Sequence, residues 1–166
     1  MKIYFDMDGV LANFDKGVND ILGIPFLSQD QAYEEYHDYL FNTMRKYPDF
    51  YYMLEPFDDM IDYLKQIHEL YGDKVEILTG IPKKHRGIDN AKRNKIDWVK
   101  KYIGDDIKVN ACYRKDKIKY IKGKDDILID DFIANIKDWE KHGGTGLHHT
   151  DLKSTKKKLN KILKNI

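Results

Sequence analysis

Residues 2–9 read KIYFDMDG, an apolar run that ends in the carboxylates of Asp6 and Asp8. Short continuous apolar runs are typical of parallel strands that are buried on both faces. In an open α/β sheet, the carboxyl ends of the strands border the ligand crevice. We therefore expect residues 2–6 to form a strand that presents both carboxylates to a binding site.

The rest of the chain alternates short apolar runs with longer segments of helical periodicity. Further strands are predicted at residues 74–79, 107–112, 126–130 and 145–149. Apolar residues at i, i+3, i+4 and i+7 predict helices at residues 57–71, 88–103, 132–142 and 152–166. The second helix should face inward through Ile96, Val99 and Ile103. This alternation predicts the α/β class, with a Rossmann-like parallel sheet flanked by helices.

One segment interrupts the alternation. Residues 16–55 contain no strand candidate and are too long for a plain connection between a strand and a helix. The overlapping window of residues 26–57 is also unusually rich in Tyr and Phe. We expect residues 16–55 to form a small helical cap inserted after the first strand, while residues 1–15 and 56–166 form the α/β core.

The composition fits one domain in a reducing compartment. With 166 residues, of which 42% are hydrophobic, the chain can bury its own core, which excludes collagen-like and wholly disordered classes. Cys112 is the only cysteine, so no intramolecular disulfide can form, and no Cys/His cluster has zinc spacing. No apolar run reaches the ~18 residues of a membrane span. We expect a cytoplasmic protein without a membrane partner.

The net charge of +1 hides an uneven distribution of charge. Residues 1–83 carry 16 acidic and 7 basic side chains, whereas residues 84–166 carry 12 acidic and 22 basic ones. A basic half of this kind can bind nucleic acid, hold an anionic ligand or present a solvated face. The lysine-rich tail, residues 152–166, also has an apolar stripe, which favours a helix docked on its own domain.

A second acidic pair, Asp130-Asp131, follows another apolar run. Because neighbouring parallel strands end at the same edge of a sheet, we expect this pair to lie near Asp6 and Asp8. Carboxylates gathered in this way repel one another unless a cation or a shared proton relieves the repulsion. Oxygen ligands suit Mg²⁺, so the sequence predicts a metal site at this edge.

A third strand end adds groups that can bind an anion. Thr79 offers a hydroxyl and Gly80 allows close approach to the backbone, and both can contact phosphoryl oxygens. The basic run at residues 114–117 follows the next strand and brings cations to the same edge.

Four motifs in order resemble those of the haloacid dehalogenase (HAD) superfamily of phosphohydrolases. They are DMDGVLANF at residues 6–14, ILTG at residues 77–80, a lysine at Lys117 and ILIDD at residues 127–131. The chain is most similar to the 5'(3')-deoxyribonucleotidase group, including bacterial and phage relatives. The resemblance covers most of residues 1–150.

The resemblance implies a mechanism and a cofactor. Asp6 would be the nucleophile that forms an aspartyl-phosphate, and Asp8 would be the general acid and base. Mg²⁺ would bind Asp6, the backbone carbonyl of Asp8 and Asp130, with Asp131 as a further ligand or as a neighbour of the ligands.

It also implies how the substrate is held. Thr79, Gly80 and Lys117 would bind the phosphate, with Lys115 as the alternative lysine, and Phe14 would lie beside the nucleobase. The chain departs from several relatives, which have Thr-Ser where it has Thr79-Gly80. Its cap shows no clear counterpart of the family's aromatic base pocket.

The residues and the resemblance leave three possible functions, and we expect the first of them. The protein would be a Mg²⁺-dependent phosphatase of nucleoside monophosphates, whose partner is a small phosphomonoester rather than a nucleic-acid polymer. The second is the same chemistry on another small substrate, such as a sugar phosphate. The third is a non-catalytic nucleic-acid-binding protein, which would have no use for the acidic residues. The sequence leaves open the base, the sugar, the 5' or 3' preference, and whether a homodimer forms.

Overall fold

Five parallel strands form one sheet in this protein, for which a computed structural model describes residues 1–28 and 31–164. The strands are β1 (Ile3–Phe5), β2 (Val75–Ile81), β3 (Val109–Tyr113), β4 (Ile127–Asp130) and β5 (Thr145–His148). Their order across the sheet is β3-β2-β1-β4-β5, and each neighbouring pair is parallel. All five predicted strands are present, and the predicted Rossmann-like α/β class is confirmed.

The described residues contain six α-helices. They are α1 (Phe14–Asp20), α2 (Glu34–Met44), α3 (Asp58–Tyr71), α4 (Ala91–Tyr102), α5 (Ile133–Lys141) and α6 (Leu152–Leu163). The four helices predicted outside the insertion correspond to α3, α4, α5 and α6. The last two residues of the predicted C-terminal helix, 165 and 166, lie outside the described residues. Within the described residues, no helix is both long and apolar enough to cross a membrane.

Helix α4 differs from its prediction in its start and in its buried face. It begins at Ala91, because Gly87 has a left-handed φ of +68° that turns the chain before the helix starts. Of the three residues expected to point inward, Val99 is buried but Ile96 is only half-buried. Lys95 and Trp98 are fully buried instead, since the Trp98 indole fills the core and its Nε1 donates to a backbone oxygen 2.8 Å away.

The register of the central strands aligns their carboxyl ends. Phe5 of β1 lies opposite Ile77 of β2 and Ile129 of β4. The next residues along these strands therefore reach the same edge of the sheet. Among them are Asp6 and Thr79, so the edge collects polar side chains from separate parts of the chain.

The two faces of the sheet pack against different helices. On one face, Tyr4, Leu78 and Leu128 pack with Ile136 and Trp139 of α5. On the other face, the alternate strand positions join a larger apolar cluster that includes α3 and α4. Because side chains alternate between faces along a strand, burial on both faces explains why the strands read as continuous apolar runs.

The insertion, residues 16–55, packs on the same larger cluster. Its side chains Val18, Met44 and Leu54 are fully buried there. Gly17 of α1 permits this approach, because a Cβ at that position would lie 2.2 Å from a methyl carbon of Leu54. The boundary of a separate cap at residues 16–55 stays a prediction, since its apolar side chains are continuous with those of the core.

Helix α6 docks on the domain, as its apolar stripe predicts. Leu159 and Thr155 are fully buried, and the Thr155 hydroxyl lies 2.7 Å from Nδ1 of the buried His149. Asp151 begins the helix by accepting a hydrogen bond from the Ser154 backbone N–H at 2.7 Å. Exposed lysines such as Lys157 cover the opposite side of the helix.

Candidate active site

The carboxyl ends of β1 and β4 bring three carboxylates together. Asp6 follows β1, Asp130 ends β4, and Asp131 comes next in the chain. One oxygen from each carboxylate lies within 4.8 Å of the other two. Asp6 and Asp130 are buried, whereas Asp131 is exposed. The two acidic pairs thus meet as expected, except that the Asp8 side chain is directed toward α4.

The position of Asp6 is electrostatically unfavourable for a carboxylate. Burial, followed by the charge of Asp130, raises the pKa of Asp6 to about 7, and Lys117 offsets part of the effect. Although the Asp131 side chain is exposed in part, the protein atoms packed around its carboxyl group desolvate it and raise its pKa, and the charges of Asp6 and Asp130 add to the effect. A positive charge at this point would reverse both effects, because it favours the ionised form of each carboxyl.

The donor set fits Mg²⁺. All three side chains offer hard carboxylate oxygens, which are the ligands that Mg²⁺ prefers. Asp6 Oδ1 is also buried and lies 2.9 Å from Lys117 Nζ, whose single positive charge it shares with Asp130 Oδ2. One lysine charge among three carboxylates leaves negative charge that a bound cation would compensate.

Asp130 is held rigidly by three neighbours. Its Oδ1 accepts a hydrogen bond from the Phe132 backbone N–H at 2.9 Å. Its Oδ2 accepts hydrogen bonds from Asn135 Nδ2 at 2.9 Å and from Lys117 Nζ at 2.7 Å. These contacts fix the carboxylate in one orientation at the end of β4.

Lys117 is the lysine that the structure brings into the acidic cluster. Its Nζ lies 2.9 Å from Asp6 Oδ1 as well as 2.7 Å from Asp130 Oδ2, and the side chain is buried. Burial alone would lower the pKa of Lys117, but the charges of Asp130 and Asp6 raise it above its usual range. Lys115, the alternative considered from the sequence, is exposed on the same 3₁₀ helix.

Thr79 and Gly80 lie at the carboxyl end of β2. The Thr79 side chain is fully buried. A Cβ at Gly80 would meet no atom of the described residues within 4 Å, so the protein's own packing does not require glycine there. The open space beside the Gly80 backbone leaves room for a ligand to approach.

Lys95 is a site residue that the sequence prediction missed. It lies on α4, is fully buried, and donates hydrogen bonds to Asp8 Oδ2 at 2.6 Å, Thr79 Oγ1 at 2.9 Å and the Gly80 carbonyl at 2.8 Å. Its Nζ also lies 4.5 Å from the ring centroid of Tyr51. One signal was available in the sequence. Lys95 lies three residues before Trp98 and so shares its face of the helix, and a large apolar residue such as Trp98 is expected on the buried face.

Phe14, the predicted base contact, belongs to a cluster of aromatic rings next to the site. Its ring lies 5.7 Å from Phe50 and 6.2 Å from Phe26, both edge-on, and 6.3 Å from Tyr51 in a stacked arrangement. Three of these four rings come from the insertion. The Tyr51 ring covers Lys95, so the cluster adjoins the groups at the strand ends.

A family model matches residues 1–150, which is most of the chain. Its description is 5' nucleotidase, deoxy (pyrimidine), cytosolic type C protein. The sequence matches no curated protein at the significance that we required.

Several solved structures share the fold at low sequence identity. A haloacid dehalogenase-like family hydrolase from Streptococcus pneumoniae superposes with a TM-score of 0.59 at 16% identity, covering 90% of this chain and 84% of that one. A second hydrolase from Streptococcus pneumoniae TIGR4 gives a TM-score of 0.50 at 13% identity, covering 96% and 97%. The HAD domain of an effector protein from Legionella pneumophila gives 0.50 at 11%, covering 98% and 92%.

Proposed function

Since this chain belongs to the 5' nucleotidase, deoxy (pyrimidine), cytosolic type C family of phosphoric monoester hydrolases, we propose that it is a Mg²⁺-dependent phosphatase of nucleoside monophosphates. The observation that carries the proposal is the buried Asp6 carboxylate beside Asp130, Asp131 and Lys117 at one sheet edge. Phosphoryl transfer needs a nucleophile, compensating positive charge and a shaped cradle.

The proposed reaction has two steps. An Asp6 oxygen attacks phosphorus, the bond from phosphorus to the ester oxygen breaks, and Asp8 gives its proton to the departing alcohol. Water then attacks the aspartyl-phosphate while Asp8 takes a proton from it, which releases inorganic phosphate and restores the Asp6 carboxylate. Asp8 is suited to this task because its Oδ1 is buried and accepts no hydrogen bond from the described residues.

Asp6, the backbone carbonyl of Asp8 and Asp130 would hold Mg²⁺, with Asp131 as a further ligand or as a neighbour of the ligands. The ion, when bound, supplies positive charge that neutralises the phosphoryl oxygens. Lys117, whose Nζ lies 2.9 Å from Asp6 Oδ1, supplies further positive charge. Thr79 and Gly80 complete the cradle for the phosphate.

The aromatic cluster supports a nucleotide as the substrate. A nucleobase gains roughly 1–3 kcal/mol from each aromatic ring on which it stacks in nucleic-acid-binding proteins. Phe14 is half-buried, whereas Phe50 and Tyr51 of this cluster are buried. A sugar phosphate has no planar base to stack on such a surface, and a nucleic-acid polymer would not need the acidic cluster.

The deciding experiment measures phosphate release with Mg²⁺ from 5'- and 3'-monophosphates of all bases, ribo and deoxy, beside several sugar phosphates. We expect turnover of nucleotides well above that of sugar phosphates. Equal rates on both groups would remove the nucleotide proposal and leave a phosphatase of broader range.

The matched variants are Asp6→Asn and Asp106→Asn. Asp6→Asn should abolish phosphate release while circular dichroism shows an unchanged fold, because the amide cannot act as the nucleophile. Asp106→Asn should retain wild-type rates, since that aspartate is exposed near the start of β3. Full turnover by Asp6→Asn would refute the mechanism.

A further inference from the structure

We propose that Lys95 is a positioning residue for this reaction: it holds the Asp8 carboxylate and the Thr79 hydroxyl in their working orientations. The proposal rests on the proposed phosphatase function. It is carried by the buried contacts of one ammonium group with three acceptors that come from β2 and from the loop after β1.

All the hydrogen-bond donors of the Lys95 ammonium group are used within the protein. A lysine ammonium has three N–H donors and no acceptor. The structure supplies three acceptors within 2.6–2.9 Å, namely Asp8 Oδ2, Thr79 Oγ1 and the Gly80 carbonyl. Lys95 therefore has no donor left for a phosphate oxygen, so it acts on the substrate only through its partners.

Lys117 has fewer acceptors than donors, and this difference separates the roles of the two buried lysines. It has two acceptors among the described residues, Asp130 Oδ2 at 2.7 Å and Asp6 Oδ1 at 2.9 Å. Its third donor remains available to a phosphoryl oxygen. The geometry thus makes Lys117 the lysine that contacts the substrate and Lys95 the one that arranges other groups.

Lys95 determines which atoms of its partners face the substrate. Asp8 Oδ2 is taken by Lys95, while Oδ1 is buried and accepts no hydrogen bond from the described residues. Oδ1 is therefore the oxygen that exchanges a proton with the leaving group. Thr79 Oγ1 accepts a hydrogen bond from Lys95, so its own O–H is directed elsewhere and can donate to the phosphate.

The insertion covers this arrangement. The Tyr51 ring is buried, and its centroid lies 4.5 Å from Lys95 Nζ. An aromatic face attracts an ammonium and excludes water from it. Lys95 thus joins a residue of the insertion to Asp8 and Thr79.

The test exploits the leaving group. A nucleoside monophosphate releases a poor alkoxide leaving group and needs the proton from Asp8, whereas p-nitrophenyl phosphate releases a good leaving group and needs it much less. General acid catalysis contributes roughly 10²–10⁴-fold. We expect Lys95→Met to lower kcat/KM about 100-fold for the nucleotide and less than about tenfold for p-nitrophenyl phosphate, in line with that range.

The ratio of the two kcat/KM values is the readout. Both substrates are measured on one preparation, so any misfolded fraction cancels from the ratio, and Lys95→Gln provides a second variant if Lys95→Met yields no soluble protein. Lys92→Met on the exposed side of α4 is the matched control and should leave the ratio unchanged. Asp8→Asn should change the ratio in the same direction as Lys95→Met.

The outcomes are distinct. A double variant, Asp8→Asn with Lys95→Met, should show the ratio of Asp8→Asn alone, because both changes act through one group. An unchanged ratio would overturn the inference. If both kcat/KM values fall equally, Lys95 has a structural or phosphate-binding role, and if neither falls, Lys95 has no role in the reaction. If wild-type protein hydrolyses neither substrate, the proposed function itself fails.

Discussion

Gly9 places the backbone of the loop after β1 directly against the carboxylate of Asp131. Its φ is +75°, and a Cβ at this position would lie 2.1 Å from Asp131 Oδ2. Both facts require glycine, because a non-glycine residue is strained at this φ and a methyl group would displace the carboxylate. The loop that carries Asp8 and the proposed metal ligand Asp131 are thus packed as one unit.

We predict that Gly9→Ala weakens Mg²⁺ binding and lowers the free energy of unfolding by about 1–3 kcal/mol, the usual cost of a residue in a disfavoured backbone region. Calorimetric titration with Mg²⁺ and urea unfolding measure the two effects. Gly123→Ala is the control, since a Cβ there meets no atom of the described residues within 4 Å. Unchanged Mg²⁺ affinity in Gly9→Ala would show that Asp131 is not coupled to the metal site.

The sequence predicted the acidic residues of the site but not its second buried lysine. Asp6 and Asp130 could be found because each follows an apolar strand, and strand ends of a parallel sheet meet. The contacts of Lys95 depend on how α4 is rotated on the sheet. Periodicity predicted that Ile96 faces inward, whereas the packing of Trp98 buries Lys95 instead and leaves Ile96 half-buried.

At the scale of elements, the loop between β2 and α4 holds helix α2 of the insertion. Arg86 pairs with Asp38, lies 3.4 Å from Glu34 Oε1, and places its guanidinium 5.0 Å from the ring centroid of Phe41. All three partners belong to α2. One arginine thus joins the insertion to the loop that follows Thr79-Gly80.

We predict that Arg86→Ala loosens α2 without unfolding the domain. Ion pairs of this exposure contribute up to about 1 kcal/mol, and a cation–π contact contributes about 0.5–1 kcal/mol. Limited proteolysis should therefore cut faster within residues 34–44, while urea unfolding changes by no more than about 2 kcal/mol on those figures.

The control for this prediction is Arg93→Ala, which removes an exposed arginine whose ion pair within residues 1–28 and 31–164 is with Asp97, one helical turn away at 3.9 Å. It should leave the cleavage pattern unchanged. If Arg86→Ala also leaves the pattern unchanged, other contacts of the insertion are enough to hold α2.

Helix α6 is expected to contribute to stability through one residue above all. Leu159 is fully buried in the larger apolar cluster, so Leu159→Ala should cost about 2–5 kcal/mol of unfolding free energy. Urea unfolding measures the loss. Lys157→Ala on the exposed face should fall within about 0.5 kcal/mol of wild type. A loss as small for Leu159→Ala would indicate that α6 is not docked in solution.

Secondary structure outside the insertion was largely predictable, because strands buried on both faces leave continuous apolar runs and amphipathic helices leave a period of 3.6 residues. The insertion was not. Helix α1 has only seven residues and begins at Phe14, two residues before the expected start of the insertion at residue 16. Its start depends on Asn13, whose side chain accepts a hydrogen bond from the Lys16 backbone N–H at 3.1 Å. A helix of two turns has too few positions to establish a period.

For the molecule as a whole, the raised pKa of Asp6 links stability to pH. Unfolded aspartate has a pKa of 3.8, whereas the pKa of folded Asp6 is about 7. Between these values the folded state keeps a proton that the unfolded state has lost, so stability falls as pH rises. This contribution is complete below pH ~4 and is lost through pH ~7.

We predict that the Mg²⁺-free protein loses melting temperature from pH 5 to pH 8, more steeply in wild type than in Asp6→Asn. The variant is the control, because the lowered pKa of His149 acts in the opposite direction in both proteins. Mg²⁺ should raise the melting temperature more at pH 8 than at pH 5, since its ligands must lose their protons. Equal pH slopes in the two proteins would contradict the assignment.

The central position of β1 has a consequence for the timing of synthesis. Strand β1 is made before both of the strands that flank it, which begin at Val75 and Ile127, so it has neither sheet partner when it is synthesised. At ~5–20 residues per second, β4 follows β1 from the ribosome after about 6–25 s. Asp6 therefore meets Asp130 only after β4 has been made, so the nascent chain cannot assemble the acidic cluster before that point.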